Sequence, residues 1–338
     1  MQTMKPALHP AKRCCLLLIV LPLSLLLSCG GGGGDSSSTT LTSLSYSGST
    51  EKAVIDAANA VDITTEAFNG GMSGTLFNNF ASLSGSTDLS QARRHTTLTT
   101  ALILNGAICD LHSLSPSPVD ARAVVTEQET INGACGGQAS GQLQIDDVSG
   151  SFTGILTFSN YCDSEVTLNG SANFSGTINL TTDTFETIFL NFDYLVTTYP
   201  TESYVFDGSI TITPQSAGFI LSMDMLLKSG ADEVFWVNDC TIAVTDYGST
   251  LSMHISGTFY DPWYGYVTLT TQEAIVIDAY DGTPTAGVLI ATGENGTAGG
   301  ATRARLTCYS SGMFQVDADT SGDGTYDWQS EMLTWGEY

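Results

Sequence analysis

The sequence predicts a mainly β protein: a large, curved antiparallel sheet laid down as a meander, close to a barrel in outline. An N-terminal helical segment is predicted to cover its apolar concave side. Three observations carry this. From about residue 119 onward, apolar and polar residues alternate with a period of two. The alternating runs are joined by short Gly-containing signals rather than by helix-length crossovers, which favours antiparallel neighbours over a parallel sheet. Residues 49–118 show instead a three-to-four residue apolar spacing.

In chain order, residues 1–28 come first. Lys5, Lys12 and Arg13 precede an apolar stretch from Cys14 to Leu27, and Leu26-Leu27-Ser28-Cys29 closes it. The apolar stretch is shorter than the ~20 residues a spanning helix needs, so a cleaved signal is expected. The four closing residues resemble the lipobox of bacterial lipoproteins. The resemblance, confined to residues 1 to about 40, implies that Cys29 is acylated and becomes the first residue after cleavage. It also implies anchoring to the membrane through acyl chains, and Gly30 rather than Asp at the next position implies the outer membrane. Residues 29–48 then read as a Gly/Ser tether, GGGGGDSSSTT at its core, a composition that cannot order itself by burying surface.

The segment 49–118 is expected to be helical. Val54, Ile55, Ala58, Val61 and Ile63 form one apolar stripe, with a start near Ser49 and a stop at Gly70-Gly71. A second run places Leu89, Ala92, Leu98, Leu102, Ile103 and Ile108 on another stripe, broken by Pro116 and Pro118. In 119–338 the runs are rich in Thr, Val, Ile, Phe and Tyr, as strands prefer. About ten to twelve strands of 6–11 residues are expected. Asn169-Gly170, Asp207-Gly208, Tyr247-Gly248, Asp281-Gly282, Asn295-Gly296 and Ser311-Gly312 read as turns. Short phrases ending in Gly (LNGS, FSGT, FDGS, ISGT) look like one hairpin scheme reused.

The formal charge is −25, and it becomes −28 without residues 1–28, which carry three bases and no acid. So acidic a surface repels the phosphates of nucleic acid and suits an exported protein. Beyond Cys29 five cysteines remain, and an oxidising compartment favours pairing. The expected bridges are Cys135–Cys162 and Cys240–Cys308, leaving Cys109 as a buried thiol.

Two groups of residues are candidates for binding. Asp319, Ser321, Asp323 and Asp327 fit a short oxygen-rich loop, with Gly324 to fold it back. A structural calcium ion is the expected occupant, and an acidic hairpin turn is the competing reading. Trp263, Tyr264 and Tyr266 surround a Pro-Gly turn, either as a stacking surface for a glycan or protein partner or as a hairpin clamp. Catalysis finds little support: GxSxG and HExxH are both missing, and Cys109 with His112 is a weak pair. The expected role is therefore non-enzymatic, binding or structural. Carbohydrate binding or adhesion with calcium is the alternative, and lipid carriage or a hydrolase without a recognisable motif stands behind it.

Overall fold

The computed structural model describes residues 43–75 and 124–335, apart from positions 147, 164–165, 183, 201–202, 230–232 and 279–281. The signal, Cys29, the second helical run and Cys109 lie outside the described residues. One helix, α1 (Ala60–Thr75), precedes fifteen strands. These are β1 (Val124–Asn132), β2 (Gly136–Asp146), β3 (Ser151–Asp163), β4 (Val166–Asn179), β5 (Thr184–Thr198), β6 (Ser203–Gln215), β7 (Gly218–Lys228) and β8 (Val234–Asp246). There follow β9 (Thr250–Asp261), β10 (Gly265–Asp278), β11 (Pro284–Asn295), β12 (Ala301–Tyr309), β13 (Met313–Asp319), β14 (Trp328–Gln329) and β15 (Leu333–Thr334). Strands β1 to β14 pair in chain order, every pair antiparallel, and β15 pairs with β13 beside β14. The expected meander is present as one sheet. It is not closed: β1 pairs only with β2.

Several strands run longer than expected, up to 15 residues in β5. In β4 and β6 the reason is that a predicted Gly turn signal lies inside the strand. Asn169-Gly170 sits within β4 and Asp207-Gly208 within β6. Gly170 faces a bulge at Tyr194 in β5, whose φ is +51°, whereas Gly208 pairs with Phe192 beside that bulge and lies against the Asp224 backbone of β7. A Cβ on Gly170 would meet the Tyr194 carbonyl oxygen at 2.5 Å. The device recurs: Asp239 in β8, φ +46°, bulges against Gly257 in β9, and Asn160 in β3, φ +47°, against Gly137 in β2. The reused Gly phrases thus lie inside strands, LNGS and ISGT as bulge partners, rather than at turns. Bulges bend a sheet and raise its local twist, and this one curls around α1, which touches β7, β8, β9, β11, β12 and β13.

Helix α1 starts ten residues later than the apolar stripe suggests. The backbone of 51–53 is claimed by the sheet first. Tyr266 N–H donates to the Glu51 carbonyl (2.9 Å), Ala53 N–H to the Tyr266 carbonyl (2.8 Å) and Glu294 N–H to the Ala53 carbonyl (2.7 Å). This strap enters where β10 and β11 have stopped pairing, beyond Thr268 and Thr292. A turn follows: Asp56 Oδ1 accepts the N–H groups of Ala58 and Asn59, and Asn59 Oδ1 accepts that of Asp56. The helix then runs through Gly70-Gly71 instead of stopping there. Gly70 lies against Phe259 and Val237, and Gly71 against Ile255, with no room for a side chain at Gly70. Ile63, Ala67 and Phe68 are buried with them in the core formed by the sheet's inner face. The buried hydroxyls of Thr64 and Thr65 donate back to the Ala60 and Val61 carbonyls.

Cys135 and Cys162 form a disulfide, Cα–Cα 5.1 Å, joining the start of β2 to the end of β3. The expected Cys240–Cys308 bridge is not formed; both are free, buried thiols. They lie in β8 and β12, four strands apart in the sheet. At about 4.8 Å per strand this is beyond the ~7 Å Cα separation a disulfide can bridge. Alternation alone places both on the inner face but cannot say how far apart.

Candidate functional site

The turn between β9 and β10 is built by Asp261. Its side chain is 1% exposed, and its Oδ1 accepts the N–H groups of Trp263 (2.7 Å) and Tyr264 (2.9 Å). Pro262 and Gly265, the latter at φ +97°, complete the reversal, and Gly265 lets the Glu51 carbonyl approach. The turn carries two of the predicted aromatics outward: Trp263 is 72% exposed, Tyr264 37%. Acids hold both tips. Trp263 Nε1 donates to Glu233 Oε1 (3.1 Å) and the Tyr264 hydroxyl to Asp62 Oδ2 (3.4 Å). Burial, then Asp62, raises the Tyr264 hydroxyl above its ordinary range.

Tyr266, half-buried, joins a different group. It lies directly opposite Tyr260, and Tyr260 directly opposite Trp236, on three successive strands. Trp236 and Tyr260 stack at 4.4 Å between centroids, and Tyr260 and Tyr266 lie 5.1 Å apart. Tyr46, from the chain preceding the strap, packs on both Trp236 and Tyr260. Its hydroxyl points at the Asp261 and Ser49 carbonyls, and burial followed by the Asp261 charge pushes it up to about 12. The hairpin-clamp reading thus describes Tyr266, and the exposed-surface reading Trp263 and Tyr264. Tyr260 ends an alternating run, but Trp236 sits in the unbroken apolar stretch Val234-Phe235-Trp236-Val237, and Tyr46, more than 200 residues away in sequence from Tyr260, carries no periodic signal.

Beneath the turn, Asp261 meets Glu66 of α1. Glu66 Oε2 and Asp261 Oδ2 are both buried with no donor among the described residues. Burial, then the Asp261 side chain, raises the Glu66 carboxyl well above the ordinary range. The assembly offers flat aromatic faces at the rim of a carboxylate cluster formed by Asp62, Glu66, Glu233 and Asp261. Such a surface can stack on a sugar ring or receive a cationic group.

The acidic loop near the C-terminus is organised differently. Asp319, 1% exposed, accepts three backbone N–H groups: Gly322 and Asp323 on Oδ1, Gly324 on Oδ2. Asp323 Oδ1 accepts the Thr325 N–H, and Asp327 accepts the N–H and hydroxyl of Thr320, which holds its carboxyl below the usual range. Ser321 contributes its carbonyl to the Ala298 N–H. Gly322 and Gly324 sit at φ +75° and +91°. The four predicted ligands share a loop, but each carboxylate serves its own local donors. Asp317, just before it, holds Arg305 (2.7 Å) and Gln329. Among the described residues no group of three or more His, Cys, Asp or Glu is placed to hold a metal ion.

The exposed His254 lies in β9, away from any such group; His95 and His112 lie outside the described residues. Among the described residues no helix is long and apolar enough to cross a membrane. Compared with protein-family models, with characterised proteins and with solved structures, the chain matches none.

Proposed function

We propose that the chain is an exported lipoprotein, held at the outer membrane by acyl chains on Cys29, whose folded part works by binding a partner rather than by catalysis. The observation that supports a binding role is the exposed Trp263–Tyr264 turn, propped on an aromatic ladder and tied by hydrogen bonds to Glu233 and Asp62. An exposed tryptophan fixed in orientation loses little freedom when a ligand stacks on it, which is how such residues contribute to recognition. A glycan is the favoured partner. Presenting the purified protein to a glycan array tests this: binding that Trp263→Ala reduces at least about tenfold, the worth of one stacking contact, supports it. Binding that survives Trp263→Ala, or no binding to the array, overturns it. The anchor is tested separately by feeding cells an alkyne-tagged fatty acid: wild type should carry the tag in the membrane fraction and Cys29→Ala should not.

Calcium at Asp319, Ser321, Asp323 and Asp327 belongs to the same reading as a structural ion. The supporting observation is a loop in which Gly322 and Gly324 fold four oxygen-bearing side chains into nine residues. A melting temperature unchanged between millimolar calcium and chelator would remove it.

A further inference from the structure

Glu66 and Asp261 bring two buried, unpartnered carboxylate oxygens together beneath the aromatic turn. Two carboxylate oxygens, one from α1 and one from the end of β9, are buried with no donor among the described residues. The charged groups that act on Glu66 are all carboxylates: Asp261, Asp62 on its own helix, and Glu233 from the segment before β8; the hydroxyls of Tyr264, facing both acids, and Tyr46, facing Asp261, are raised above their ordinary range and stay neutral. Two carboxylates cannot be buried in contact with both ionised where no cation among the described residues offsets the repulsion; a single proton between them turns the repulsion into a strong hydrogen bond. Asp261 is also the residue that shapes the aromatic turn, through Oδ1 to Trp263 and Tyr264 and through its carbonyl to Tyr46.

We propose that Glu66 and Asp261 share one proton, and that this proton latches α1 to the β9–β10 turn, so that the Trp263–Tyr264 surface is held when the proton is present and released when it leaves. The inference names a regulation of the binding surface proposed above and rests on that reading for its biological meaning, but not for its test. The direction follows from the charges. At lower pH the pair carries one negative charge and is hydrogen-bonded. As pH rises past the elevated range of Glu66, the second charge appears beside Asp261, Asp62 and Glu233, and the contact opens. A metal ion in place of the proton is the competing occupant, and its sign is opposite, because a cation binds better as pH rises.

Hydrogen exchange of the full-length protein in detergent measures the latch without any ligand. Protection of the peptide spanning 259–266, corrected for the intrinsic pH dependence of exchange, should fall about tenfold between about pH 6 and about pH 9. Strands β2–β4 should not change. In Glu66→Gln the amide donates to Asp261 at every pH, and protection should stay flat; Asp261→Asn keeps the turn acceptor, supplies a donor to Glu66 and should do the same. A wild-type profile that is already flat, or one that both variants share with wild type, overturns the proposal. So does protection that rises with pH and collapses on adding chelator, which would place a metal ion there. A failed glycan array leaves all of these outcomes readable.

Discussion

Gly70 stands inside α1 with the ring of Phe259 and a methyl of Val237 packed against its backbone. A Gly-Gly pair after an apolar stripe reads as a helix stop, since glycine in a helix interior costs about 1 kcal/mol relative to alanine. The helix continues because Phe259 occupies the space a side chain would need: a Cβ on Gly70 would stand 2.8 Å from the Phe259 ring. Gly70→Ala therefore gains helix propensity and loses packing. Overpacking of this kind costs ~1–3 kcal/mol, against a gain of about 1 kcal/mol in propensity, so a net loss of about 1 kcal/mol is expected in urea denaturation; a stabilised variant would show that Phe259 can move aside. The thiols make the second residue-scale prediction. Burial pushes both Cys240 and Cys308 up to about 12. A maleimide at about pH 8 should leave both unlabelled in the native protein and label both after denaturation without reductant; a peptide linking the two would restore the bridge that alternation suggested. Period-two patterning found the inner face for both cysteines, but distance along the sheet is set by strand order, which the pattern does not contain.

At the scale of elements, the meander was legible because each strand alternates and each neighbour follows it in sequence. Two features were not. Asn-Gly and Asp-Gly signal turns in isolation, yet Gly170 accommodates the bulge at Tyr194 and Gly208 the close approach of the Asp224 backbone in β7; only the partner strand distinguishes the two uses. The apolar residues of the strap at 51–55 fit a helical stripe, but its backbone is taken by β10 and β11. Gly293 in β11 makes room for it: a Cβ there would lie 2.3 Å from the Ala53 carbonyl oxygen and 2.8 Å from Thr302 Oγ1, which accepts the Ile55 N–H. Gly293→Ala must push out backbone, not a flexible side chain. It should cost about 2–4 kcal/mol, a packing clash plus broken hydrogen bonds. It should also raise hydrogen exchange at residues 51–55 well before β2–β4. Equal exchange in strap and β2–β4 would mean that the strap is not a separate unit. The disulfide acts at the opposite end of the meander: closing a 27-residue separation, it is expected to contribute about 3–4 kcal/mol in the chain-entropy picture, measurable as the stability lost on reduction.

The whole molecule adds a constraint that no element shows alone. The chain carries 35 acids against 10 bases. One acid, Asp317, is neutralised by Arg305 in a part-buried pair that also stacks on Tyr326; Glu66 and Asp261 instead face other carboxylates. Self-repulsion between charges spread over such a surface opposes the compact state. It is also what salt screens: the Debye length falls from about 30 Å at 0.01 M to about 8 Å at 0.15 M. The melting temperature should therefore rise with sodium chloride over this range, by roughly 2–4 °C for each kcal/mol of repulsion removed, and level off once screening reaches the spacing of neighbouring carboxylates. The same titration separates screening from a bound ion. Calcium chloride and sodium chloride matched in ionic strength should act alike if the acids respond only as a diffuse charge. A rise that saturates at low millimolar calcium and is absent with magnesium requires a site that discriminates by size and ligand number, and the Asp319–Asp327 loop would be where to seek it. A melting temperature that falls with salt would mean that attractive pairs outweigh the repulsion, contrary to the charge balance of the sequence.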